Sequence, residues 1–336
     1  MRTLVIAEAG VNHNGSFDLA VEMIHAAKRV GADIIKFQTF EATDIVTADA
    51  PKAQYQKAND DATSQLQMLR RLELTRQNFV DLKRECECAG IEFMSTPFSI
   101  KAAKFLAEIG MRRWKIASGE ITNLPLLEFV ASVADNVILS TGMSTEGEIE
   151  TALEVLLKGG LSLDRITLLH CTTAYPTPLN NVNLRAMDAL RKFGVAHIGY
   201  SDHTKGTLIA VAAVAAGATV VEKHFTLDVN MPGPDHKASI TPEEFVEMVA
   251  HIRDVELALG DGLKRPNDSE IDNISVARKS IVAAAGIKAG DIFSAENLTI
   301  KRPGTGISPM MWHRLLGRVS KSDYKRDQLI DNKELI

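Results

Sequence analysis

The sequence predicts an α/β fold: a (β/α)₈ TIM barrel followed by a small C-terminal module. Short β-branched runs alternate eight times with longer amphipathic runs. Polar and ionisable residues come directly after nearly every short run. After Leu259 the chain becomes rich in Gly, Asp, Asn and Lys, which is typical of a linker. We therefore expect a barrel over residues 1–260, a linker over 261–275 and a module over 276–336.

The expected strands are separated by helices with the 3.6-residue apolar period. In the first helix the apolar stripe is formed by Leu19, Met23, Ala26 and Val30. The strands are expected at residues 3–8, 33–38, 91–95, 113–117, 136–140, 166–171, 196–201 and 219–222. The helices are expected at residues 17–30, 76–89, 101–109, 125–133, 146–157, 182–193, 207–216 and 242–259. A doubly wound sheet would also alternate strands and helices, but the count of eight favours the barrel.

Two segments depart from this regular alternation. Residues 41–74 form a long polar connection after the second strand, and such a loop in a barrel is typical of a substrate lid. In the tail, short strands are expected at residues 280–284, 291–293 and 298–301, and a helix at 309–316. Residues 276–336 hold 11 Lys and Arg against 6 Asp and Glu, whereas the whole chain has a net charge of −5. A module of about 60 residues has a marginal core, so we expect it to dock on the acidic barrel of its own or a partner chain.

Composition excludes several partners and compartments. A net charge of −5 offers no basic field for nucleic acid. The longest nearly unbroken apolar run, residues 208–221, is shorter than the roughly 20 residues of a membrane helix, so no membrane partner is expected. Cys86, Cys88 and Cys171 are odd in number and contain no CxxC pair, which favours a reducing cytoplasm.

Two histidines follow neighbouring expected strands, His203 after the seventh and His224 after the eighth. Adjacent strand ends lie within reach of one ion, and imidazole with oxygen ligands suits Mn²⁺, Mg²⁺, Co²⁺ or Zn²⁺. The alternative is two structural histidines that bond to loop backbone. Glu222 and Asp235 are candidates to support the metal site or act as bases. Asp202 and His236 are expected to be solvated loop residues.

Two lysines, Lys36 and Lys115, end the second and fourth strands. With nearby hydroxyl groups they predict a cradle for a phosphate or carboxylate, to which Lys223 would add a further cation. The hydroxyl groups belong to Ser95, Thr96, Ser118 and Ser140. The alternative is a buried ion pair between one lysine and Glu8 or Glu120.

Glu8 and Glu120 are candidates for general acid or base work. Cys171 also ends a strand, but neighbouring His170 points to the opposite face of that strand. A Cys nucleophile is therefore rejected.

The strand ends and the tail together resemble the bacterial nonulosonate synthases, the N-acetylneuraminate (sialic acid) synthase family. The resemblance covers essentially the whole chain. Its motifs are I-A-E-A-G-V-N-H-N-G at residues 6–15, K-F-Q-T-F at 36–40, S-T-P-F at 95–98, K-I-A-S-G-E at 115–120, L-S-T-G-M at 139–143, Y-P-T-P at 175–178, Y-S-D-H-T at 200–204, E-K-H-F-T at 222–226, G-P-D-H at 233–236 and K-R-P-G-T-G-I at 301–307.

The resemblance implies a TIM barrel joined to a module similar to type III antifreeze proteins (SAF type). It also implies a domain-swapped homodimer, in which the module covers the partner's barrel. Enzymes of this family condense phosphoenolpyruvate with an N-acetylated mannose-type sugar, release phosphate and form a nine-carbon 2-keto acid.

The resemblance also implies a role for each matching residue. His203 and His224 would hold a divalent metal, with Mn²⁺ expected first and Mg²⁺ or Co²⁺ as alternatives. The expected catalytic residues are Glu8, Lys36, Lys115, Glu120 and Asp235. The expected substrate-binding residues are Gln38, Tyr55, Thr96, Ser118, Ser140, Thr173, Tyr175, Glu222 and Arg302, of which Arg302 would reach the partner's site.

The branch of the family depends on local motifs. The segments at residues 118–125, 170–173 and 199–204 resemble the di-N-acetyllegionaminate branch, and Ala174 stands where several similar enzymes have an acidic residue. Sialic acid is the next branch and pseudaminate the third. Two other classes remain open: a Schiff-base pyruvate aldolase that uses Lys115, and a non-enzymatic carbohydrate- or ice-binding protein suggested by the tail alone.

Overall fold

The computed structural model describes residues 2–52 and 62–336, which divide into two compact units, Met1–Gly260 and Asp261–Ile336. In the described part of the first unit, eight parallel strands form one sheet. They are β1 (Leu4–Gly10), β2 (Ile34–Thr39), β3 (Glu92–Pro97), β4 (Arg113–Ile116), β5 (Asn136–Ser140), β6 (Ile166–Cys171), β7 (His197–Asp202) and β8 (Val220–His224).

The sheet curls into a nearly closed barrel, which confirms the predicted fold class. The strand order is β3-β2-β1-β8-β7-β6-β5-β4, and β3 and β4 lie side by side at the seam. Several strands run past their expected ends, β1 to Gly10 and β8 to His224. His224 is therefore a strand residue, and β1–β8 pairing holds it in register opposite Glu8.

Most helices described in the first unit cover the outside of the barrel. The described helices of this unit are α1 (Phe17–Arg29), α2 (Ala42–Ile45), α3 (Gln65–Arg70), α4 (Arg76–Ala89), α5 (Ile100–Glu108), α6 (Leu124–Val133), α7 (Glu146–Lys158), α8 (Ala186–Leu190), α9 (Leu208–Ala215) and α10 (Pro242–Leu259). The short α2 and α3 instead lie in the connection after β2 and contribute to a cavity. The helix expected at 182–193 is reduced to α8 with 3-10 turns on either side, and Asn183 has a φ of 49°, which a right-handed helix cannot contain.

Local sequence explains where the longer helices begin and end. Thr75 and Asn78 form a reciprocal capping box at the start of α4, which satisfies backbone N–H groups that have no partner inside the helix. Gly90 ends the same helix at φ 70°, a left-handed conformation that glycine adopts without steric strain. These signals place α4 where the sequence predicts it.

The barrel interior is apolar at the amino end of the strands and polar at the carboxyl end. One apolar layer consists of Ile6, Ile34, Met94, Ile138, Leu169 and Val220. Side chains alternate along a strand, so residues two positions further on point inward again. Those positions hold Glu8, Lys36, Thr96, Ser140, Cys171 and Glu222. The alternation therefore places a polar layer directly on the apolar one.

The second unit begins with a helix, α11 (Asp268–Ala277), where the sequence predicts a linker. Asn267 and Glu270 form a capping box that starts it. An antiparallel pair follows, β9 (Ser280–Ala283) and β10 (Leu298–Lys301). The strand expected at 291–293 is a single bridge, Ile292 to Val319, and the helix expected at 309–316 is a 3-10 turn followed by α12 (Trp312–Leu315). Among the described residues, no helix is long and apolar enough to cross a membrane.

Candidate active site

A cavity of about 680 Å³ opens at the carboxyl ends of the barrel strands. It brings together most of the expected site residues. They are Glu8, Lys36, Gln38, Thr96, Lys115, Ser118, Glu120, Ser140, Thr173, Tyr175, His203, Glu222, His224 and Asp235. Tyr55 lies outside the described residues, and Arg302 belongs to the second unit, where it is exposed and donates through Nε to the Ala277 carbonyl at 3.1 Å.

Lys36 lies at the centre of the polar layer, with almost all of its side chain buried. Its Nζ is 2.6 Å from Glu8 Oε2 and 3.6 Å from Glu222 Oε2. The same ammonium donates to Thr96 Oγ1 at 3.3 Å, and Gln38 Nε2 donates to Glu8 Oε1 at 3.2 Å. The buried ion pair considered from the sequence is present, and it lies inside the proposed anion cradle.

Lys115 forms a second buried cationic centre. Its Nζ donates to Ser140 Oγ at 2.7 Å and to the Ile116 carbonyl at 3.2 Å. It is 3.9 Å from Glu222 Oε1, which also accepts a hydrogen bond from Ser201 Oγ at 2.9 Å. Glu222 is therefore a buried counter-ion between the two lysines.

The two central carboxyl groups have opposite pKa shifts. Burial raises the pKa of Glu8 to about 7, against the opposing effect of Lys36. Burial also acts to raise the pKa of Glu222, but Lys115 and Lys36 outweigh it and bring the value down to about 2. At neutral pH, Glu8 exchanges a proton readily while Glu222 stays ionised, a division of roles common in acid–base sites.

The histidine rings lie together on the cavity wall, with centroids 5.3 Å apart. His203 Nδ1 is 2.7 Å from the Thr172 carbonyl oxygen, which can only accept, so Nδ1 carries the hydrogen and Nε2 has a lone pair. The Tyr175 ring packs against the His203 ring, tilted by 37° with 4.2 Å between centroids. Burial lowers the pKa of His203 to about 4 and that of His224 well below its usual value, so both rings are neutral.

Two neutral imidazoles fit a divalent metal. His224 Nδ1 is buried without a hydrogen-bond partner among the described residues, which is unfavourable unless a ligand occupies the site. In the same part of the chain no group of three or more His, Cys, Asp and Glu side chains is arranged to hold a metal. A metal at this pair would therefore take its remaining ligands from water or substrate, as open catalytic sites do.

The expectation that Asp202 and His236 are solvated is wrong, because both side chains are fully buried. Lys223 does not face the cavity and adds nothing to the anion cradle. It points to the other side of the sheet and pairs with Asp202 at 2.8 Å. Asp202 and Lys223 lie near strand ends that continue further than expected, so strand alternation, not loop solvation, sets their direction. His236 instead begins a 3-10 turn beyond β8, where its Nδ1 lies 2.7 Å from the buried Thr226 Oγ1.

Two further acids lie at the edge of the cavity. Burial raises the pKa of Asp235 to about 6 and also raises that of Glu120, whose Oε2 accepts from Asn123 Nδ2 at 2.6 Å. His170 Nε2 lies 2.8 Å from the Val182 carbonyl oxygen, away from Cys171. That geometry agrees with the rejection of a Cys nucleophile.

An apolar wall, which the sequence analysis missed, also lines the cavity. It is formed by Phe40, Ile45, Val46, Met68, Leu69 and Leu72, from the connection after β2. Met68, Leu69 and Leu72 repeat at helical spacing, and that spacing was the available signal. The connection predicted as a lid therefore contributes a wall of the cavity.

A TIM barrel with buried lysines, carboxylates and paired imidazoles at the carboxyl ends of its strands is typical of an enzyme of this fold. Residues 23–264 match the NeuB family, and residues 278–336 match the SAF domain. The chain belongs to the NeuB family, as the resemblance predicts.

Several relatives of this chain are named as synthases of legionaminic or sialic acids. It is 51% identical to N,N'-diacetyllegionaminic acid synthase of Campylobacter jejuni, covering 98% of this chain and 99% of that protein. It is 44% identical to the enzyme of the same name from Legionella pneumophila, covering 94% and 90%. The crystal structure of N-acetylneuraminic acid synthetase from Leptospira borgpetersenii, in complex with citrate, has a TM-score of 0.73 at 35% identity, covering 82% and 90%.

Proposed function

We propose that this enzyme condenses phosphoenolpyruvate with 2,4-diacetamido-2,4,6-trideoxymannose, forming N,N'-diacetyllegionaminate and releasing phosphate. The observation that carries the proposal is that Lys36, Lys115 and Glu8 line one cavity together with two neutral histidines. The 51% identity to a diacetyllegionaminic acid synthase supports this branch over the sialic acid branch, where the structural relative is 35% identical.

The lysines are the groups that would bind phosphoenolpyruvate. Lys36 and Lys115 are buried cations with Thr96, Ser118 and Ser140 beside them, so an incoming phosphate or carboxylate would gain charge-assisted hydrogen bonds. Glu222 keeps the empty cavity close to electrical balance and holds both ammonium groups in place. A dianionic substrate would meet two ammonium groups, of which Glu222 neutralises only one.

Glu8 is the proposed acid and base. Its pKa of about 7 lets it give a proton to the oxygen of the sugar aldehyde as the new carbon–carbon bond forms. Glu222, with a pKa of about 2, cannot take that role. Water then adds at carbon-2 of the former phosphoenolpyruvate and gives its proton back to the Glu8 carboxylate. The tetrahedral intermediate collapses to the 2-keto acid as the carbon–oxygen bond to phosphate breaks; its hydroxyl proton leaves with the phosphate, and the lysines stabilise the departing charge.

His203 and His224 are the proposed ligands of a divalent metal, Mn²⁺ first. A bound metal would supply Lewis-acid polarisation of the aldehyde. The chain's own contribution is to keep both rings neutral by burial and to fix the His203 tautomer through the Thr172 carbonyl.

The apolar wall supports a deoxy sugar with two acetamido groups. Met68, Leu69 and Leu72 offer methyl and methylene surface and no hydrogen-bonding groups to a ligand in the cavity. A C6 methyl or an acetyl methyl would be buried favourably there, whereas a 6-hydroxyl would lose its hydrogen bonds to water. Arg302, on a partner's SAF domain, is proposed to complete the sugar site in a domain-swapped homodimer.

The test is phosphate release from phosphoenolpyruvate in the presence of the diacetamido sugar. EDTA should abolish release, Mn²⁺, Mg²⁺ or Co²⁺ should restore it, and His224→Ala should remain inactive after metal is added back. Full turnover by metal-free protein would contradict the metal assignment. Formation of a pyruvate adduct that borohydride traps on Lys115, with no phosphate released, would contradict the synthase and favour a Schiff-base aldolase.

A further inference from the structure

Asp202 and Lys223 form an ion pair that the proposed chemistry does not use. Lys223 Nζ is 2.8 Å from Asp202 Oδ2, and both side chains are 0% exposed. The two residues face each other in the β7–β8 ladder. They lie on the outer face of the barrel wall, on the part of the sheet where α9 packs against β7 and β8.

The pair ties together the backbone that carries both histidines. Lys223 Nζ also donates to the Thr204 carbonyl at 2.5 Å, and Asp202 Oδ1 accepts from the Thr204 N–H at 2.9 Å. His203 is the residue between Asp202 and Thr204, and His224 directly follows Lys223. The Lys223 ammonium group therefore bonds to the residues on both sides of His203, and Lys223 itself directly precedes His224 in the chain.

Stability alone does not account for this pair. Removing two charges from water is costly, and well-packed apolar residues of similar size are often as stable or more stable at such a position. The best-attested benefit of a buried polar pair is that it fixes one arrangement of the groups around it. Here the groups so fixed are the two imidazoles, whose centroids are 5.3 Å apart.

We propose that the Asp202–Lys223 pair is a positioning device that sets the separation of the His203 and His224 rings and thereby their affinity for a divalent cation. The inference rests on the proposed function, because it takes the two rings to be metal ligands. Loss of the interactions that orient metal ligands typically weakens metal binding ten- to a hundredfold.

The experiment measures Mn²⁺ binding to the full chain, without substrates, through the electron paramagnetic resonance signal of the free ion. The test variant is Asp202→Asn with Lys223→Met, which keeps side-chain size and an acceptor for the Thr204 N–H but removes the link between strands. The matched control is Tyr200→Phe, which removes a buried hydroxyl on the same face of β7 that has no partner among the described residues. Circular dichroism and the melting temperature report folding.

We expect the double variant to stay folded while its dissociation constant for Mn²⁺ rises ten- to a hundredfold, and Tyr200→Phe to bind as the wild type does. A folded double variant that binds Mn²⁺ within twofold of wild type overturns the inference alone. If the wild type binds no Mn²⁺, the metal site and the inference both fail.

A second variant keeps the test decisive if the double variant does not fold. Lys223→Arg preserves the charge, but its planar head cannot place one nitrogen between Asp202 and Thr204 as the ammonium does. We expect at least a threefold weaker affinity for Mn²⁺ in folded Lys223→Arg. An unchanged dissociation constant overturns the proposal.

Discussion

Glu8 and Glu222 approach the same ammonium group, Lys36 Nζ, at 2.6 and 3.6 Å, yet their pKa values shift in opposite directions. The difference arises because Glu222 also faces Lys115 and accepts from Ser201, whereas Glu8 has Lys36 as its one close cation among the described residues. Two carboxyl groups on adjoining strands thus separate into a group that transfers protons and a group that stays charged.

The Glu8 carboxyl predicts a specific pH profile. Its pKa of about 7 lies above the ordinary value of 4.5, so the group is protonated below pH 7 and loses its proton above it. If the acid form acts, wild-type activity falls as pH rises through about 7. Glu8→Gln should reduce kcat by about 10²- to 10⁴-fold and should lack this limb of the profile. A Glu8→Gln variant with near-normal activity would contradict the role.

Buried His13 predicts sensitivity to acid. Burial lowers its pKa from 6.5 to about 4, so the folded state resists protonation that the unfolded chain accepts. The stabilising contribution is complete above pH 6.5 and is lost as pH falls toward 4. His13→Asn keeps an acceptor for the Gly15 N–H and removes the titration.

Urea unfolding at pH 7 and pH 5 measures this effect. The wild type should lose more stability over this interval than His13→Asn, by about 2 kcal/mol. Because the change in unfolding free energy between the two pH values is compared, any pH-independent loss of stability caused by the substitution cancels. Equal losses in the two proteins would show that another group controls acid unfolding.

The apolar wall predicts a residue that controls sugar choice. Leu69 lines the cavity, and Leu66 on the same helix, α3, does not. Leu69→Gln should lower kcat/KM for the diacetamido deoxy sugar at least tenfold relative to N-acetylmannosamine, because a polar group replaces the apolar contact. Leu66→Gln is the matched control and should leave the ratio unchanged. If both variants shift the ratio equally, the effect is not a contact with the sugar.

If Arg302 completes the sugar site of the partner subunit, each active site contains residues of both subunits. Arg302→Ala and His224→Ala should each be inactive alone, and mixed dimers should recover part of the activity, because one site in each mixed dimer keeps both residues. Dimers that are confirmed to be mixed and that show no recovery would rule out a shared site.

The fold followed from the sequence because period-2 and period-3.6 patterns are local. Lys36, Lys115 and His224 were found because they end or directly follow expected strands, where the active site of a barrel lies. Strand alternation assigns Asp202 to the outer face, but only once β7 is known to continue to that residue. Because the expected strand ended one residue too early, Asp202 was expected in a solvated loop, whereas it is buried.

The rest of the site depends on contacts between distant segments. The apolar wall comes from a connection whose helix α3 is short, and the spacing of its apolar residues indicates a helix but not which part of the barrel that helix contacts. The pKa values depend on which charges meet, and Glu222 lies within reach of lysines 186 and 107 positions earlier in the chain. The positions of these residues along the sequence do not show how far apart they lie in the folded protein.

The identity of the sugar is tested most directly by one comparison. Phosphate release from phosphoenolpyruvate with Mn²⁺ would be measured with 2,4-diacetamido-2,4,6-trideoxymannose and, in parallel, with N-acetylmannosamine. We expect kcat/KM to be at least tenfold higher with the first sugar, because the apolar wall accepts its methyl groups. A preference for N-acetylmannosamine would contradict the assignment and identify a sialic acid synthase.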